Sequence, residues 1–263
     1  MTRGNDIMWA DIKAIYRNAG RFALAFPLLF LIPVLVEMAQ HVVEIQAGMY
    51  LNEAGAKAAE GDPVRLWFGF AKTLAIGLPS YWFVRYLLLG DAARAVRIEW
   101  PAIGLWLVVF ALSAIQAWWS LFGPDLLAPL GLGGPIVDAG TGIVLQVAMI
   151  YLTVWTVAWA LGNARIGPVR SVAIMNGSFW YALGLFVAGF VPLMIPHYGL
   201  AILAVVWAPS GLDWALMIAD SLVVGFLALT IAGSSALAAR RAARRKGVDL
   251  TPARLSAKEA APA

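Results

Sequence analysis

The stretch from Leu212 to Lys246 constrains the fold most: an apolar body long enough to cross a bilayer, then Arg240, Arg241, Arg244, Arg245 and Lys246 in quick succession. A span takes about 20 apolar residues, and a cluster of cations beside it holds that end on the side carrying anionic lipid. The tail is therefore expected in the cytoplasm, in contact with anionic lipid. The rest of the chain repeats the pattern. Its residues are 62% hydrophobic and 13% charged, where soluble domains have about 45–50% and 25%. The excess is gathered into long apolar blocks, so the expected class is all-α, a polytopic helical membrane protein. With no cysteine, neither disulfides nor thiolate metal sites are possible.

Residues 1–21 read as an interfacial amphipathic helix capped by Asn5 or Asp6. Met8, Ile12, Ile15, Tyr16 and Ala19 fall on one face, with Asp11, Lys13 and Arg17 elsewhere. A cleaved signal peptide fits less well, because the charged lead is long and no small-residue cleavage site follows near Ala39. A transmembrane domain is expected over 22–239 and a basic cytoplasmic tail over 240–263, disordered beyond Gly247. Six spans are expected: Phe22–Ala39 interrupted by Pro27 and Pro33, Leu66–Leu89, Pro101–Phe122, Thr141–Leu161, Ser178–Ile195 and the stretch after Leu212. Residues 40–65 form the largest outer loop, whose first part can continue the helix. The Gly- and Pro-rich linker 123–140 is a second outer loop. The run YGLAILAVVWA is too short to cross alone and reads as an extension of the fifth helix or a re-entrant patch.

Charge tests this topology independently. Six spans with both termini in the cytoplasm put sixteen of the nineteen basic residues inside, leaving Lys57, Arg65 and Lys72 outside. The acidic residues divide six and nine, so the net charge of +4 separates into +10 inside and −6 outside. Every loop obeys the positive-inside rule, as expected for a bacterial inner-membrane protein. A charge so divided is a topology signal and not a nucleic-acid footprint. No internal repeat supports an inverted-repeat transporter.

Three ionisable residues inside expected spans, on three helices, share one depth. A rise of about 1.5 Å per residue puts Glu37 roughly 8 Å, Lys72 about 9 Å and Asp220 about 12 Å below the outer surface. Each costs about 2.5–3.5 kcal/mol at a helix centre. Two readings stand: a polar site open to the periplasm, or a buried cluster that fixes helix register. Arg85, near the inner end of its span, is expected to snorkel inward. On the last span Ser221, Gly225, Ala228, Ala232 and Ala236 form a small-residue stripe suited to close helix packing, within the chain or against a second copy.

The remaining motifs carry little chemistry. His41 and His197 lie at the outer ends of spans, and a haem or metal between them lacks a third ligand or an attachment motif. Ser178 and His197 are about 28 Å apart on one helix, too far for a dyad. Pro209, Ser210 and Gly211 lack the histidine of the lipid-phosphatase element, since Leu212 stands in its place. GLGGPIVDAG follows no strand, and no HExxH, GxSxG or Walker sequence occurs. Neither cofactor, metal nor catalytic residue is expected from these patterns.

Two stretches, YWFVRYLLLGDAARAVR from Tyr81 and RSVAIMNGSFWYALGLFVAGFVP from Arg170, resemble YciC-like multi-pass bacterial membrane proteins. They are also similar to the membrane domain appended to some glycerophosphodiester phosphodiesterases. The resemblance implies a helical membrane domain and brings over no catalytic residue. The expected function is non-enzymatic: structural, envelope-related or partner-binding, with a homo-oligomer or another membrane protein as possible partner. The alternative is a small transporter or lipid-handling protein in which Glu37, Lys72 and Asp220 line a polar site.

Overall fold

A computed structural model describes residues 2–124, 134–206 and 211–252. The described residues form helices and no strands. In order these are α1 (Thr2–Ala25), α2 (Pro27–Gln46), α3 (Glu53–Ala59), α4 (Pro63–Gly77), α5 (Ser80–Leu89) and α6 (Ala92–Val96). Then come α7 (Trp100–Phe122), α8 (Pro135–Ala160), α9 (Pro168–Met175), α10 (Phe179–Val206) and α11 (Asp213–Arg245). Five stretches are long and apolar enough to cross a membrane: α2, α7, α8 from Gly140, α10 and α11. Large apolar side chains such as Leu28 (80% exposed) and Ile195 (69%) stand outward from them. Such a surface suits lipid and is costly in water.

The sequence-based boundaries shift for local reasons. Pro27 lacks an N–H, so it opens α2 at its first position instead of interrupting a helix begun at Phe22. α1 accordingly runs on to Ala25, past the expected limit at residue 21. It starts at Thr2, so neither Asn5 nor Asp6 caps it. The expected second span, Leu66–Leu89, is divided into α4 and α5 around Pro79, whose ring and missing N–H interrupt the hydrogen-bond ladder. Neither piece is by itself one of the five. Pro192 and Pro196, by contrast, lie within a continuous α10, and YGLAILAVVWA extends that helix as far as Val206. Parts of the expected loops, 125–133 and 207–210, lie outside the described residues, as does the expected disordered end, 253–263.

Three helices end in the same way. Gly48, Gly162 and Gly247 adopt positive φ, and the amides after them return to carbonyls one turn back: Met49 to Glu44, Asn163 to Ala158 and Val248 to Ala243. These are Schellman closures, which favour glycine because it enters the left-handed region without a Cβ clash. The third folds the expected loose tail back. Leu250 is buried, and the Asn163 amide donates to the carbonyls of Asp249 and Leu250.

The chain divides into two compact units, residues 1–83 with 186–234, and 84–185 with 235–263. In the first, α1 buries Ile15, Ala19 and Phe22. Part of the face expected to lie in lipid headgroups is therefore covered by protein. Phe22 meets Phe83 edge-on at 5.1 Å, and the Tyr16 hydroxyl donates to the Ala188 carbonyl at 2.7 Å. Of the small-residue stripe, Ser221, Gly225, Ala228 and Ala232 belong to this unit and are buried in it. At Gly225 an added Cβ would meet Val34 Cγ2 at 2.5 Å and the Phe30 ring at 2.8 Å, so the missing side chain lets α2 and α11 touch. At Gly225 the stripe is thereby used for packing within the chain.

In the second unit, Arg85 is fully buried instead of snorkelling. Its guanidinium donates to the Ala160 and Arg94 carbonyls and pairs with Glu99 at 3.2 Å. A planar fork of donors suits that mixture of acceptors. Ala236 is buried here as well. Of the basic cluster, Arg241, Arg244, Arg245 and Lys246 are exposed and Arg240 is half-buried. Arg245 donates to the Asn176 and Gly177 carbonyls, and Arg241 lies over the Tyr181 ring at 5.6 Å.

Candidate functional site

One face of α2 builds the site. Glu37, Gln40, His41 and Glu44 follow the spacing at which helical side chains stack above one another, and all four are buried. Opposite them α11 contributes Asp220, which is fully buried, and α10 contributes His197. Asp220 is held from both sides: His197 Nδ1 meets Oδ1 at 2.7 Å, and His41 Nε2 meets Oδ2 at 2.9 Å. The other nitrogen of His41, Nδ1, meets Glu44 Oε2 at 2.9 Å. A neutral imidazole has one N–H, so acceptors on both of its nitrogens require one further proton, shared between His41 and a carboxylate.

Glu44 is the most heavily bonded group. It accepts from the Gln40 amide at 2.8 Å, Arg65 Nε at 2.9 Å and the Tyr50 hydroxyl at 2.6 Å. The Schellman turn at Gly48 carries Tyr50 back over the end of α2, where it packs with Ala204 and Met217. Burial, with Glu44 beside it, pushes the Tyr50 hydroxyl well above the usual tyrosine range, which keeps it a neutral donor. Asp62 caps α4 by accepting from the Arg65 backbone N–H, which sets Arg65 at the start of that helix. Two turns on, Lys72 Nζ reaches Glu37 Oε1 at 3.2 Å and Oε2 at 3.1 Å. The second of these is an ion-pair contact without hydrogen-bond geometry. Glu37 Oε1 also lies 3.4 Å from His41 Nε2.

The structure therefore brings Glu37, Lys72 and Asp220 into one network. Glu37 pairs directly with Lys72, and His41 stands between Glu37 and Asp220. Gln40, His41, Glu44, Tyr50, Arg65 and His197 were absent from the sequence-based cluster. A signal for three of them existed, since Gln40, His41 and Glu44 join Glu37 in marking one polar face of an apolar helix. Ending the first span at Ala39 hid it. Lys72, Arg65 and His197 keep part of their side chains exposed, whereas Glu37, His41, Glu44 and Asp220 are almost completely covered. No protein-family model, curated protein or solved structure matches the chain.

Proposed function

We propose a multi-pass protein of the bacterial inner membrane, with six spans and both termini cytoplasmic, in which the buried charge network ties helices together. The role is non-enzymatic: structural, envelope-related or partner-binding. The observation that carries this reading is pairing. Glu37 has Lys72, Glu44 has Arg65 and Asp220 has two histidines. Charges that answer one another inside a covered core fix which helices meet and in what register. A transport path instead needs groups that exchange partners with water.

The sixth span is α4 and α5 taken together, bent at Pro79, which supplies the crossing that the charge pattern requires. With the tail inside, Arg241, Arg244 and Lys246 face anionic lipid, joined by the exposed Lys13, Arg17 and Arg21 of α1. The resemblance of the segments from Tyr81 and Arg170 to YciC-like proteins points to the same class. Transport or lipid handling through Glu37, Lys72 and Asp220 is the second reading, favoured by the partly exposed rim of Lys72, Arg65 and His197.

The lack of native cysteine gives a direct test. Val224 is buried one helical turn from Asp220. Under the structural reading, Val224→Cys resists a membrane-impermeant thiol reagent added from outside, while Lys57→Cys on α3 reacts. Rapid labelling at position 224 overturns the dry network in favour of a water-filled path. A Lys57→Cys that reacts only after the membrane is opened overturns the topology.

A further inference from the structure

We infer that Glu37, His41 and Asp220 form a binding site for a divalent first-row transition metal, with Zn²⁺ the best-fitting ion. His41 Nε2, a Glu37 carboxylate oxygen and an Asp220 carboxylate oxygen all lie within 4.8 Å of one another, and all three residues are buried. Ligands at zinc bond lengths of about 2.0–2.2 Å stand roughly 3.3–3.5 Å apart around a tetrahedron. One separation already has that value, His41 Nε2 to Glu37 Oε1 at 3.4 Å, while His41 Nε2 to Asp220 Oδ2 at 2.9 Å is shorter and would open as an ion entered. One imidazole and two carboxylates form a borderline-to-hard donor set that suits Zn²⁺, Mn²⁺ or Co²⁺, and the cysteine-free chain offers no thiolate for soft cuprous ion.

The outer atoms of the ligands supply an independent argument. A histidine that binds metal through one nitrogen is usually oriented by a carboxylate on the other, and ligating carboxylates are themselves hydrogen-bonded. Here His41 presents Nδ1 to Glu44, which Gln40, Tyr50 and Arg65 fix in place. Asp220 turns its second oxygen to His197. Glu37 is steadied by Lys72. Beside His41, on the same face of α2, buried Gln40 carries an Oε1 with no hydrogen-bond partner among the described residues.

An ion seated here would turn His41 Nε2 and Asp220 Oδ2, now joined by one hydrogen bond of 2.9 Å, into two separate ligands. This assignment needs only the triad's geometry and holds whether the protein serves a structural or a transport role.

The test uses the full chain in detergent, without an added histidine tag, stripped with a chelator and titrated with Co²⁺ and then Zn²⁺. The expected result is one equivalent bound, a Co²⁺ visible spectrum of low-coordinate type displaced by Zn²⁺, and a raised melting temperature. Glu44→Gln, which keeps the ligands but weakens their support, should lower affinity about 10–100-fold. His41→Gln and Asp220→Asn should abolish the spectrum while still eluting as folded protein. Wild-type protein that takes up no ion overturns the assignment. So does uptake of several ions with a spectrum unchanged by His41→Gln, which would mark binding to scattered surface carboxylates.

Discussion

Gly225→Ala is the most discriminating packing test, because two known effects oppose each other there. Alanine is favoured over glycine inside a helix by about 0.8–1.0 kcal/mol. Against this, the new methyl would sit 2.5 Å from Val34 Cγ2 and 2.8 Å from Phe30 Cε2, where carbon atoms prefer about 3.5–4.0 Å. Relief requires about 1 Å of movement. Val34 is β-branched and stiff at χ1, and the Phe30 ring is held against Phe226 at 4.9 Å. α2 and α11 must therefore part locally, at an overpacking cost of about 1–3 kcal/mol. Gly199 in α10 provides the reference, since nothing lies within 4 Å of its added Cβ and only the propensity gain applies. Denaturation in mixed detergent micelles should place Gly225→Ala below Gly199→Ala by about 1–3 kcal/mol. Combining Gly225→Ala with Val34→Ala should recover part of that loss as a coupling between neighbours. Equal stability of the two glycine variants would refute the close approach of α2 and α11.

Three further outcomes are expected. Arg85→Met leaves the Ala160 and Arg94 carbonyls and Glu99 without their donor; it should cost about 3 kcal/mol in thermal unfolding, with Arg85→Lys intermediate, and wild-type stability in both would refute the buried role. Tyr16 is shifted above the usual tyrosine value by burial, so its contribution is complete below pH 10 and is lost as pH climbs through the raised folded value. Ultraviolet titration should then show a late-ionising tyrosine that vanishes in Tyr16→Phe, and an unchanged titration would contradict the half-buried hydroxyl. Asn163→Ala removes the donor to Asp249 and Leu250, so limited proteolysis after Gly247 should accelerate, and an unaltered digestion pattern would count against the anchored tail.

The helical class was legible because long apolar blocks admit few alternatives, and the close approach at Gly225 was legible because it belongs to a run of small residues at helical spacing. Pro79 was harder: proline breaks the ladder between α4 and α5 but leaves α10 intact at Pro192 and Pro196, and only tertiary packing decides between those outcomes. At the candidate site, depth along a span revealed Glu37, Lys72 and Asp220, since rise per residue is a local property. Azimuth is not local. That His197 turns onto Asp220, and that Tyr50 returns to Glu44, depends on how α10 meets α11 and on one left-handed glycine. Arg85 was misjudged for a related reason: a long basic side chain near a helix end can reach water or protein, and the Ala160 carbonyl that captures it lies on another helix.

The wide spacing of the network along the chain has a consequence for biogenesis. His41 and Asp220 are separated by 179 positions, so α2 leaves the ribosome long before its last partner exists. Until then Glu37, His41 and Glu44 form a polar stripe on a segment meant for hydrocarbon, where a central charged residue costs about 2.5–3.5 kcal/mol. Lys72 and Arg65 arrive first and answer two of the three carboxylates, while Asp220 completes the set only when α11 is made. Early residence of α2 in the bilayer is therefore expected to depend on α4. Nascent chains ending after Leu89 should integrate α2 more fully than chains ending after Ala47, and equal integration would mean that the stripe is tolerated alone. Assembly order, no less than final geometry, is written into the placing of the two basic residues just downstream.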